Sequence, residues 1–134
     1  MTLSRRTVLK SIPAFFVAAL VPDQKKLFAK FEKRELLLNK FFIAGFQYYD
    51  GPSLINRLHA GIELALKRDP ANEYDPYAVE ILFNQFKLGF VPRTDNKHIS
   101  RLIAQNANLS CRVIQFAPEE TTWRMVRVEV GLMG

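Results

Sequence analysis

Residues Ile62 to Lys67 alternate strictly, with Ile62, Leu64 and Leu66 set against Glu63, Ala65 and Lys67. Val79, Ile81 and Phe83 alternate in the same way with Glu80 and Asn84. A period of two is the signature of a half-buried strand, so the two runs predict a pair of strands, each with one face on a core. The connector between them, within RDPANEYDPYAVEI (Arg68 to Ile81), is too polar to be core. Pro70 and Pro76 fix φ at two points, and Asn72, Asp69 and Asp75 can bond their own backbone. Such a loop is specified rather than slack, and a specified loop holds side chains in place. Asp75 followed by Pro76 also has the form of an acidic cap on a short turn.

The remaining pattern extends this into a β-rich unit. FFIAGFQYYDGPS predicts a strand through Phe42 and Phe46 with a bulge or close approach at Gly45, then a turn over Asp50 to Ser53. A turn or brief helix is expected from Leu54 to His59. Ala78 to Phe83 is followed by a tight reversal at Asn84 and Gln85 and a strand from Lys87 to Val91, where Gly89 implies a bend or a neighbouring backbone. Ile99, Leu102 and Ile103 share one side of a predicted helix, Arg93 to Gln105. Two long strands close the chain, Leu109 to Phe116 and Thr122 to Val130, the latter with Val126, Val128 and Val130 inward. The expectation is a mainly β fold: a small, partly closed antiparallel β-barrel with one or two short α-helices. Nothing alternates strand and full helix as a doubly wound sheet would.

The N-terminal third reads differently. Residues 1–19 have a basic start (Arg5, Arg6, Lys10) and the beginning of an apolar run, and Ser4 to Lys10, SRRTVLK, resembles a twin-arginine export signal. Val17 and Ala19 suit cleavage after Ala19. This predicts a periplasmic or secreted protein with no stable membrane span after processing, since the apolar run is too short to cross a bilayer. An amphipathic N-terminal helix or a false start is the other reading, leaving a cytoplasmic protein. Residues 20–39 predict an amphipathic helical arm, with Leu27, Phe28, Phe31 and Leu38 on one side of a helix from Gln24 to Leu38. Such a helix suits a membrane surface, a nucleic acid, or the closed end of a β-domain. The globular domain is then residues 40–131.

Charge and composition bear on partners. The 134 residues carry a formal charge of +6, which points to a polyanion or an anionic surface. Loss of Arg5, Arg6 and Lys10 with the leader leaves 16 Lys and Arg against 13 Asp and Glu, a net of +3, which halves that signal. A hydrophobic content of 49% excludes a disordered chain. The single Cys111 permits no internal disulfide and reads as a buried thiol. His59, His98 and Cys111 lack zinc spacing, no glycine-rich loop cradles a phosphate, and no serine or cysteine nucleophile has an evident base. No cofactor is called for. A metal-dependent hydrolase acting on acid anhydrides would need Asp69 and Asp75 to share a rim.

Taken together, FFIAGFQYYDG, GIELALKRDPANEYDPYAVEI and KLGFVP resemble the HIRAN domain family. The shared pattern falls on Gly45, Tyr48, Tyr49, Arg68, Asp69, Pro70, Asn72, Tyr74, Asp75, Ala78, Gly89 and Pro92. The resemblance implies a non-catalytic module that binds single-stranded DNA with its free 3′-hydroxyl end in a pocket. It implies that Tyr48 is a stacking or wall aromatic, that Asn72 and Tyr74 line the pocket, and that Asp75 accepts from the terminal sugar hydroxyl. Where family members that grip DNA ends carry an arginine before the paired tyrosines, this chain has Gln47. Loss of a guanidinium removes a bidentate phosphate ligand, and Arg68, Arg93, Lys97 and His98 are the basic side chains expected to help. The alternative is an exported module that binds envelope protein or other envelope material with the same fold.

Overall fold

The computed structural model describes residues 35–134; the leader and the helical arm as far as Arg34 lie outside the described residues. The strands are β1 (Glu35–Phe42), β2 (Glu63–Arg68), β3 (Val79–Phe83), β4 (Phe86–Phe90), β5 (Leu109–Phe116) and β6 (Val126–Met133), with helix α1 (Arg93–Ala104) between β4 and β5. Short 3-10 turns form at Phe46–Tyr48, Gly51–Arg57 and Thr122–Arg124. The alternation in the sequence is honoured where it was strongest. Leu64, Val79, Ile81, Val126, Val128 and Val130 are all buried, and the reversal between β3 and β4 uses Asn84 at φ 57°, a left-handed conformation that asparagine tolerates.

The six strands form one antiparallel sheet in the order β1-β6-β5-β2-β3-β4. This corrects the barrel expected from the sequence, because β1 and β4 are its two ends and share no ladder. Across that opening Ala44 and Phe90 form an isolated bridge, exchanging backbone bonds of 2.9 Å in both directions. The reason is local: Gly45 takes φ 74° and turns the chain into the 3-10 turn at Phe46–Tyr48, so β1 cannot run on alongside β4. The middle of the sheet is also narrow, with β2 and β5 paired only at Glu63 with Arg112 and Leu64 with Cys111. The result is a mixed α/β domain in which α1 lays its buried face, Asn96, Ile99 and Ser100, on the core.

Two further boundaries differ from expectation. The helical period read as far as Leu38 gives way to strand from Glu35, where Glu35, Leu36 and Leu37 pair with Met133, Leu132 and Gly131. Ladder pairing with β6 outweighs the modest helix propensity of that stretch. At the other end, Thr122–Arg124 is a 3-10 turn, and β6 begins at Val126 and runs on to Met133. On the face of β6 away from the valines, Glu129 accepts from Arg112 at 2.7 Å, and Glu35 lies 3.5 Å from the same guanidinium while accepting from Ser110. Cys111 is buried as read, and burial pushes its thiol up to about 12.

Candidate functional site

The loop between β2 and β3 is built by its own side chains. Asn72 Oδ1 accepts the backbone N–H groups of Tyr74 at 2.9 Å and Asp75 at 3.1 Å, and Asn72 Nδ2 donates to Asp69 Oδ2 at 3.2 Å. Asp75 Oδ1 then accepts the N–H of Tyr77 at 2.9 Å, which is the cap that Asp-Pro implied. A backbone bond from Asp69 N to the Ala78 carbonyl closes the base of the loop at 2.9 Å. The loop is thereby held as a wall, on which Tyr74 is 78% exposed.

Against that wall lies a cleft of about 490 Å³, bounded by the Gly45–Tyr49 segment, the end of β4 and the first turn of α1. Of the side chains singled out in the sequence, Tyr48, Asn72, Tyr74, Asp75 and Arg93 line it. Gln47, Arg68, Lys97 and His98 do not. Gln47 is exposed on the 3-10 turn at Phe46–Tyr48. Arg68 is half-buried and donates from Nε to Ser100 Oγ at 3.1 Å, holding β2 to α1. His98 donates from Nε2 to Asn39 Oδ1 at 2.6 Å, on the β1 side of the helix. Lys97 rests on the Tyr77 ring, 5.2 Å from its centroid.

Besides small and aliphatic residues, the cleft includes four aromatic or polar side chains outside the binding set expected from the sequence: Tyr49, Lys87, Phe90 and Asn96. Tyr49 and Phe90 meet edge to face at 5.7 Å, and the Lys87 ammonium sits 4.3 Å and 4.2 Å from their two ring centres. These contacts are cation–π interactions, which fix the ammonium against the wall. Lys87 also lies 3.9 Å from Glu80. Asn96 is buried, and its Nδ2 donates to Asp75 Oδ2 at 2.7 Å. A sequence signal for it existed, since Asn96 stands three residues before Ile99 on the apolar side of α1, where a polar side chain needs a buried partner.

Asp75 is the electrostatic centre of the cleft. The Tyr77 N–H, the Asn96 amide and the Arg93 guanidinium, whose Nε lies 3.6 Å away, hold its carboxyl below the usual carboxylate range, against an opposing effect of burial. It is an ionised, fixed acceptor with lone pairs left over, since each oxygen accepts only one short bond. Arg93 also donates to the Tyr74 carbonyl at 3.1 Å. The cleft thus offers one anionic acceptor, two cations and several aromatic faces. Asp69 Oδ2 accepts from Asn72, and the two Asp75 oxygens accept from Tyr77 N–H and Asn96. Among the described residues no group of three or more His, Cys, Asp or Glu is placed to hold a metal ion.

The HIRAN domain family model matches residues 38–132. The chain belongs to the HIRAN domain family. That match spans almost all of the described strands and includes every residue lining the cleft. No curated protein matches the chain. Two solved structures show the same fold as this HIRAN domain. A protein from Lactobacillus plantarum is 21% identical, with a TM-score of 0.64 over 75% of this chain and 97% of that one. The HIRAN domain of human HLTF is 19% identical, with a TM-score of 0.60 over 75% of this chain and 79% of that one. Among the described residues no helix is long and apolar enough to cross a membrane.

Proposed function

We propose that this HIRAN domain binds single-stranded DNA by a free 3′ end, with the terminal nucleotide in the cleft and no covalent chemistry. The observation that carries the reading is Asp75: an ionised carboxylate held rigid at a cleft wall between exposed tyrosine faces. A carboxylate accepts a bond from a 3′-hydroxyl and repels a 3′-phosphate. Tyr48 and Tyr74, 75% and 78% exposed, offer ring faces on which bases stack without sequence preference, each worth about 1–3 kcal/mol. Arg93 and Lys87 supply positive charge for the adjoining phosphate.

Fluorescence anisotropy with short oligothymidylates that differ only at the 3′ end tests this. The 3′-hydroxyl strand should bind at least tenfold more tightly than the 3′-phosphate strand at low salt, and Asp75→Asn should narrow the gap. Equal binding of the two strands would defeat the assignment of Asp75.

The compartment is a separate proposal, resting on SRRTVLK at Ser4 to Lys10. We propose export by the twin-arginine route with cleavage after Ala19. Mass spectrometry of protein from fractionated cells should find an N-terminus at Leu20 in the periplasm. An intact N-terminus in the cytosolic fraction would count against it.

A further inference from the structure

We propose that a strand held by its end in the cleft continues along α1, its phosphates following Arg93, Lys97 and Arg101; this rests on the end-binding reading above. The three cations stand at i, i+4 and i+8 of one helix, so they share a face and step about 6 Å along its axis each time. That step is close to the distance between successive phosphates in an extended single strand. The first of the three lines the cleft. The other two stand over Tyr77, which is not itself a lining residue but lies in the wall loop between the lining residues Asp75 and Ala78. Lys97 Nζ lies 5.2 Å and the Arg101 guanidinium 5.6 Å from the centre of that one ring.

Among the described residues two of the three cations, Lys97 and Arg101, carry no ion pair, whereas Arg93 is paired with Asp75. Asp95, the acid of the first helical turn, falls on another side of the helix from the stripe. Two exposed cations gathered at one aromatic ring repel each other, and a phosphate between them relieves that repulsion. A helix face that only needed solvation would do better with opposite charges four residues apart. Lys97, which the cleft itself does not include, acquires a role by this placement.

Binding of dT dinucleotide, tetranucleotide and octanucleotide, all with free 3′-hydroxyls, to the whole protein and to its Lys97→Gln/Arg101→Gln variant decides the matter. For the unaltered protein, affinity and salt dependence should both rise from two to eight nucleotides. In the variant that rise should be lost, and the slope of log K against log salt for the octanucleotide should fall by about 0.7 for each cation removed. Thermal melts verify that the variant is folded. Dinucleotide binding with no gain on lengthening overturns the track and leaves the end-binding reading standing. An equal loss at every length also overturns the track, because the two cations would then act on the cleft. Failure of all three strands to bind at low salt overturns both.

Discussion

Asn96 reaches out of the buried face of α1 and donates to Asp75 Oδ2 at 2.7 Å, joining the helix to the loop that walls the cleft. The bond has two consequences. It positions one carboxylate oxygen while Tyr77 N–H positions the other, so Asp75 has a single orientation before any ligand arrives. It also makes a buried asparagine dependent on a charged partner.

Asn96→Ala should therefore destabilise the domain by roughly 1–3 kcal/mol, the cost of leaving a shielded, charged acceptor without its donor. Urea melts should show a lower midpoint with an unchanged slope. Oligonucleotide affinity should fall as well, since a carboxylate free to rotate is a poorer acceptor. An unchanged midpoint would mean that the Asp75 oxygen is satisfied by solvent.

The same carboxylate gives the stability a pH dependence of known sign. Its folded pKa lies below the unfolded value, so the stabilisation is complete above about pH 3.9. It is lost as pH falls through the lower folded value. Melting temperatures measured from neutral pH down into the acid range should decline more steeply for the unaltered protein than for Asp75→Asn. Parallel profiles would show that Asp75 contributes nothing to the acid transition.

The strands were legible where alternation was clean. Ile62 to Lys67, Val79 to Phe83 and Val126 to Val130 each bury one parity of side chain, and a ladder needs little more than that. The openness of the sheet was not legible, because it depends on Gly45 turning the chain out of β1, a conformation that a glycine permits without requiring. Glu35 to Leu38 misled for a related reason: a short stretch compatible with a helical stripe becomes strand when a partner such as Leu132 is available. Within the cleft, the turn chemistry of Asn72, Asp75 and Pro76 spoke for itself. Lys87 and Phe90 did not, since their approach to Tyr49 joins segments some 40 residues apart and leaves no local mark in the sequence.

Gly89 is a sensitive point of this architecture. Its φ is 154°, and a Cβ there would press on the Ala44 carbonyl oxygen and come within 2.6 Å of Ile43 Cγ2. The neighbouring exchange of bonds between Ala44 and Phe90 requires that close approach. Gly89→Ala should cost about 1–3 kcal/mol from backbone conformation alone, with crowding in addition. It should also part the Gly45–Tyr49 segment from β4 and so widen the cleft. Chemical denaturation measures the first effect and oligonucleotide affinity the second. A substitution silent in both would show that the two backbones separate without cost.

Lys87 separates stability from binding. Its ammonium touches Tyr49, Phe90 and Glu80 in a partly exposed setting, side chain 28% exposed, where such pairs contribute no more than about 1 kcal/mol. Lys87→Met keeps the apolar stem against both rings and deletes only the charge. Its melting temperature should stay close to that of the unaltered protein. Binding of a 3′-hydroxyl oligonucleotide should weaken, and its salt slope should shrink by about 0.7, the share of one phosphate on a single strand. Lys87→Arg should keep the slope, because a guanidinium also stacks on aromatic faces and retains the charge. A slope unchanged in Lys87→Met would assign the phosphate of the cleft to Arg93 alone, and the ammonium above the two rings would then be a structural contact.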